Sequence, residues 1–160
     1  MNSLSIRLLI SLLLALALTI LPMPEILVMI RPAWVLLTVL YIQYYLPERF
    51  NIAILFVLGL VMDVLLATVM GEHAFALSIA SWLASSKARR FRLFSISQQM
   101  GLIGVFCFLY QVIILTIDGF LGFHASFFSA IGCALSSVML WPWIRLIAED
   151  LILPQAYYQK

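Results

Sequence analysis

Apolar residues run along this chain in long blocks, separated by short stretches that carry its prolines, charges and small polar residues. Six blocks stand out, at about 6–22, 31–46, 50–70, 73–87, 98–118 and 125–147. A helix that spans a bilayer needs about 20 mostly apolar residues, with roughly 17 to 25 as the usual range. The second and fourth blocks are short. Pro32 and Pro47 bound the second, as suits a residue that favours the first helical turn or a stop. Short spans are met by local thinning of the bilayer or by burial behind neighbouring helices. The pattern predicts an all-α integral membrane protein, a compact bundle of about six transmembrane helices in one domain over 1–160. Four spans with two re-entrant segments form the alternative.

Composition strengthens this reading. The chain has 160 residues, 65% hydrophobic and 10% charged, with a mean hydropathy of +1.14. A soluble domain carries about 25% charged residues to keep a polar surface. The N-terminal "MNSLSIRLLISLLLALALTILPMPE" has features of a signal peptide: Arg7, an apolar stretch and an Ala-Leu-Ala. Its apolar run continues to Leu21 and membrane-like sequence follows, so it reads as an uncleaved first span.

The net charge of +2 matters less than its placement. With both termini in the cytoplasm, the inner side holds Arg7, Arg49, Lys87, Arg89, Arg90, Arg92, Arg145 and Lys160, and the outer side only Arg31. Cytoplasmic loops collect basic residues, so the asymmetry predicts an N-in, C-in, even-spanned protein. The cluster Lys87, Arg89, Arg90 and Arg92 is short and flanked by apolar segments. Contact with anionic head groups or a cytoplasmic partner and a pure topology signal are both open for it. No nucleic-acid footprint is present. Cys107 and Cys133 fall inside apolar runs and read as packing residues.

Helices in lipid associate through small and hydrogen-bonding residues. Gly59, Asp63, Ala67 and Gly71 recur every fourth residue in the third block, as do Ala76, Ala80, Ala84 and Ala88 in the fourth. Ser129, Cys133 and Ser137 form such a stripe in the sixth. These faces are expected to hold the bundle together or to seat a partner helix. The fifth block is bulkier and is expected to face lipid or a partner over much of its surface.

Asp63 is the ionisable residue inside an apolar block, and such residues are functional candidates by default. Arg31 stands on the same side of the membrane at the start of the second block. Its long side chain reaches inward while its stem stays apolar, so an Arg31–Asp63 pair, direct or through water, is expected. A structural tie and a functional role are both open. Glu72, His73, Asp118 and His124 read as polar loop residues, since their spacing matches no metal signature. No nucleophile–base pair, oxyanion donor set or phosphate loop appears, so no catalytic site, metal or cofactor is expected. Trp34, Trp141 and Trp143 sit where interfacial belts form, and Pro142 is expected to kink or end the last helix.

"RPAWVLL", "LPERFN", the Gly-x-x-x-Asp of 59–63 followed by Gly71 and "AFAL", and the closing "LWPWIRL" occur in an order that resembles the MreD family of rod shape-determining proteins. The resemblance covers nearly the whole chain. Arg31, Pro32 and Trp34 match its first motif, Asp63 and Gly71 the central one, and Trp141, Pro142 and Trp143 the last; Glu72 and His73 match no family position. The resemblance implies a non-catalytic scaffold or adaptor of the bacterial rod complex, the elongasome. It would associate with MreC and, through the assembly, with MreB, RodA and a penicillin-binding transpeptidase. Cell-shape maintenance and lateral peptidoglycan synthesis are the implied processes. The implied fold is similar to the substrate-binding subunits of energy-coupling-factor transporters. The alternative function is therefore a substrate-binding subunit for a vitamin-type molecule, with Arg31 and Asp63 in an outward pocket and the alanines at 76, 80 and 84 docked on a transporter partner.

Overall fold

A computed structural model describes residues 3–21, 30–46, 51–91, 93–122 and 126–152, and every regular element in them is a helix. They are α1 (Ser3–Ile20), α2 (Trp34–Tyr45), α3 (Ile52–Leu66), α4 (Glu72–Ser85), the single turn α5 (Ala88–Phe91), α6 (Ile96–Phe120) and α7 (Phe128–Ile152). Pro47, Arg49, Arg92, His124 and Lys160 lie outside the described residues, as does the side chain of Arg89. Ile96–Phe120 and Phe128–Ala148 are long and apolar enough to cross a membrane; Ser5–Ile20, Trp34–Tyr45 and Ile52–Leu66 are shorter apolar helices.

The centre of the bundle is α2. It has 12 residues, about 18 Å at 1.5 Å per residue, against roughly 30 Å of hydrocarbon. Nine of those residues, from Val35 to Tyr44, are buried on every side of the helix. Helices α1, α4, α6 and α7 pack around it. A helix that is apolar all round belongs inside, and here its neighbours take the place of lipid. Gln43 fixes its rotation by donating through Nε2 to the Ser81 carbonyl on α4 at 2.7 Å.

Two helix pairs form around that centre through glycines. At the α3–α4 crossing, a Cβ on Gly59 would stand 2.2 Å from the Ala74 Cα. Between α6 and α7, a Cβ on Gly104 would come within 2.7 Å of Val138 Cγ2. Ala76, Ala80 and Ala84 of α4 are fully buried. That alanine face is spent inside the chain and is not free for a transporter partner. On α7, Ala130, Cys133, Ser137 and Trp141 turn inward, while Ser129 is half-buried at the edge. The Ser137 hydroxyl accepts the Ala33 backbone N–H at 3.3 Å, at the entrance to α2. Helix α6 buries the stripe Ile103, Phe106, Cys107, Tyr110 and Ile114.

The outward faces are apolar: Leu9, Leu13, Val57, Val64, Leu135 and Met139 are all exposed. A soluble monomer rarely leaves such surface in water; in lipid it costs nothing.

Helix starts follow local chemistry. The Asn51 side chain caps α3 by accepting the Ala53 N–H at 3.0 Å. At α6 the Ser95 N–H donates to Gln98 Oε1 at 3.3 Å, which is half of a capping box.

Three expectations change. Helix α3 stops at Leu66, short of residue 70, because Ala67 takes a left-handed conformation at φ 52° and ends exposed. Ala67 therefore leaves the packing face, and Gly71 stands at the start of α4 rather than on α3. Trp141 is fully buried and belongs to the core, not to an interfacial belt; Trp143 is exposed. Pro142 does not end α7, which runs through it to Ile152.

At the bundle end that carries the basic turn, Phe91 is fully buried. It stacks on Tyr44 with ring centroids 3.7 Å apart and meets Trp141 edge-on at 5.8 Å. Gln99, also buried, donates to the carbonyls of Phe91 at 3.3 Å and Phe94 at 3.1 Å. Its Oε1 accepts from Arg145 at 3.3 Å and from Trp141 Nε1 at 3.5 Å. The turn bearing Lys87 and Arg90 is thereby pinned to the core.

Candidate functional site

Asp63 is 1% exposed, one turn before the end of α3. The first N–H groups of any helix lack intrahelical acceptors, and a carboxylate among them is favoured by the helix dipole as well. The left-handed turn at Ala67 brings the chain back so that the start of α4 lands on Asp63. Gly71 reaches the φ of +100° that only a residue without Cβ adopts at little cost. Its N–H donates to Asp63 Oδ2 at 2.8 Å. The His73 N–H donates to Oδ1 at 2.9 Å, and the His73 ring donates to the same oxygen through Nδ1 at 2.9 Å. Thr68 adds a long contact from its hydroxyl at 3.4 Å. One carboxylate of α3 thus caps the neighbouring helix and orients its histidine.

This takes the place of a direct Arg31–Asp63 pair. Both Asp63 oxygens are occupied by α4, and among the described residues no Arg31 ion pair with Asp63 lies within 4 Å. Arg31 instead stands in the wall of a cavity, near enough to act electrostatically on His73.

The cavity is about 480 Å³ and opens at the bundle end where α1 and α6 stop, α2 and α7 begin, and α3 turns into α4. Arg31, Trp34, Glu72, His73, Tyr110 and Asp118 are among its walls. Glu72 is 4% exposed and His73 9%, so both leave the class of loop residues in which their spacing put them. The tertiary fold brings Arg31, Pro32 and Trp34 to the cavity and keeps Asp63 just behind it. Trp141, Pro142 and Trp143 lie on α7, and Trp141 is packed at the other end against Phe91.

The Asp63–His73 contact is not a nucleophile–base arrangement. Thr68 meets the ring at 3.3 Å on Nδ1, the nitrogen that Asp63 already occupies, whereas a base needs its second nitrogen turned to the nucleophile. Among the described residues no group of three or more His, Cys, Asp or Glu is placed to hold a metal. Cys107 and Cys133 are free and buried.

The family described as rod shape-determining protein MreD matches residues 2–150. The chain belongs to the MreD family. The rod shape-determining protein MreD of Haemophilus influenzae is 31% identical over 139 residues, which cover 86% of this chain and 85% of that protein. No solved structure matches. MreD is a family of shape-determining proteins and not of enzymes, so membership gives the chain a part in rod-shape determination. The long apolar helices α6 and α7 fit the membrane setting of the MreD family.

The Asp63–Gly71–His73 junction was the part of the site that spacing alone did not reveal. Its signal is an acidic residue followed eight positions later by a glycine at a helix start, with a histidine two further on.

Proposed function

We propose that this chain is a non-catalytic membrane scaffold of the bacterial rod complex, a six-span bundle of the inner membrane with both termini in the cytoplasm. It associates with MreC and thereby supports MreB, RodA and a penicillin-binding transpeptidase in lateral peptidoglycan synthesis. The observation that carries this reading is where the polar groups are spent. Asp63, Gln43, Ser137 and Gln99 are all used to join one helix to another within the chain. What remains outside is apolar helix surface on α1, α3 and α7, the kind of surface that meets lipid and partner helices. The basic turn around Lys87 and Arg90 serves anionic head groups at the cytoplasmic face.

A second reading, the substrate-binding subunit of a small-molecule transporter, draws support from the cavity beside Arg31. The buried alanines at 76, 80 and 84 count against its expected mode of docking. Affinity purification from native membranes in mild detergent, with partners identified by mass spectrometry, separates the two. An MreC-like protein recovered with cell-wall synthases supports the scaffold. Recovery of ATPase subunits with a coupling membrane protein, and no MreC-like protein, sinks it.

A further inference from the structure

The cavity wall holds buried hydrogen-bond donors that find no partner among the described residues. Arg31 Nε and Trp34 Nε1 have no acceptor there, and a buried donor left unmade is costly. Glu72 is the opposite kind of group, a carboxyl 4% exposed in the same wall as Asp118. No cation pairs with Glu72 or Asp118 within 4 Å among the described residues. The rest of the lining is largely apolar and aromatic, including Leu66, Ile114, Leu115 and Tyr110. A volume of about 480 Å³ falls within the roughly 300–1,000 Å³ of small-molecule sites. It is far larger than a bare ion needs.

We propose that this cavity binds a zwitterion, with an ammonium group hydrogen-bonded to Glu72 and Asp118 and a phosphate or carboxylate accepting from Arg31 and Trp34. With no cation paired to Glu72 or Asp118 among the described residues, a ligand that carries N–H suits them, so a primary ammonium is favoured over a quaternary one. The buried donors Arg31 Nε and Trp34 Nε1 call for an anionic group on the same ligand. His73 is held by Asp63 through Nδ1, which fixes the ring as part of the wall. The same chemistry is offered by an ethanolamine phospholipid head group and by a free amino-phosphate or amino acid. The site does not depend on the scaffold reading, because either class of protein can carry it.

The full chain in detergent is titrated with O-phosphoethanolamine, with glycerol phosphate, and with ethanolamine, and binding is read by calorimetry. In parallel the chain is placed in nanodiscs of phosphatidylglycerol mixed with either phosphatidylethanolamine or phosphatidylcholine, and retained lipid is read by native mass spectrometry. Preference of about tenfold or more for O-phosphoethanolamine over both half-molecules is expected, since each charge-assisted contact contributes on that scale. Selective retention of phosphatidylethanolamine assigns the lipid as the source; binding of the free compound without lipid retention assigns a soluble one. Glu72→Gln and, separately, Asp118→Asn are expected to weaken the zwitterion about tenfold while leaving glycerol phosphate unchanged. Equal affinity for zwitterion and glycerol phosphate, or no binding by any probe, overturns the proposal. These wild-type comparisons decide the matter even where a variant fails to fold. Because partner recovery is not the readout, the site can fail while the scaffold reading stands.

Discussion

Asp63 and His73 meet at 2.9 Å across the turn between α3 and α4, with the His73 backbone N–H on the same carboxylate oxygen. Gly71 holds the other oxygen at 2.8 Å. A buried acid in an apolar helix thereby makes its direct contacts with the next helix and not with a distant arginine. It is the cap of the next helix, and it sets the angle at which α4 enters the bundle and the position of the cavity wall.

Asp63→Leu strands two backbone donors and the His73 ring, and loss of about 3 kcal/mol or more is expected from charge-assisted hydrogen bonds of this number and burial. Asp63→Asn keeps one acceptor oxygen and should lose roughly half as much. Thermal unfolding in detergent, followed by circular dichroism, ranks the two. Equal melting temperatures for wild type and Asp63→Leu would count against the cap.

Arg31 makes no ion pair with that cap among the described residues. Arg31→Leu should leave the melting temperature close to that of the wild type. Combined with Asp63→Leu it should add nothing beyond the sum of the singles, as for residues that share no contact. Partial restoration in the double variant, measured in the same unfolding assay, would instead reveal a direct pair.

Gly59 and Gly101 are both helical glycines, yet opposite outcomes are expected. A Cβ on Gly59 meets the Ala74 backbone at 2.2 Å, so Gly59→Ala must push α3 and α4 apart and should cost about 1–3 kcal/mol. Nothing lies within 4 Å of a Cβ on Gly101, and Gly101→Ala should stabilise by up to about 1 kcal/mol through helix propensity. A melting temperature lowered by the first and raised by the second is the expected pattern.

Phe91 pins the basic turn. Phe91→Ala removes the Tyr44 stack and the Trp141 edge contact, and a buried phenylalanine truncated in this way costs roughly 3–5 kcal/mol. Release should be local as well as global. Trypsin is expected to cut at Lys87 or Arg90 faster in Phe91→Ala than in the wild type, under conditions where both remain helical. Unchanged cleavage would show that the turn is held by Gln99 alone.

Much of this architecture was legible in residue pattern. Blocks of apolar residues and the scarcity of charge define a membrane helix bundle, since no soluble fold covers so much apolar surface. Gly59, Cys133 and Ser137, at helical spacing, do lie on packing faces.

Other features are decided by neighbours in space. That α2 is the centre rather than a lipid-facing span follows from its length and from the helices around it, because an all-apolar helix shows no polar face to say which side is inside. That Trp141 is core while Trp143 is exposed depends on how α7 is rotated, and neither tryptophan carries that information. The partner of Asp63 turns on one left-handed residue, Ala67, a conformation that alanine does not advertise. Composition and periodicity therefore determined the solvent this chain lives in and the faces its helices can use. The path of the chain at a single turn determined which charges meet, because hydrogen bonding in a bundle is settled by a few ångströms of backbone position.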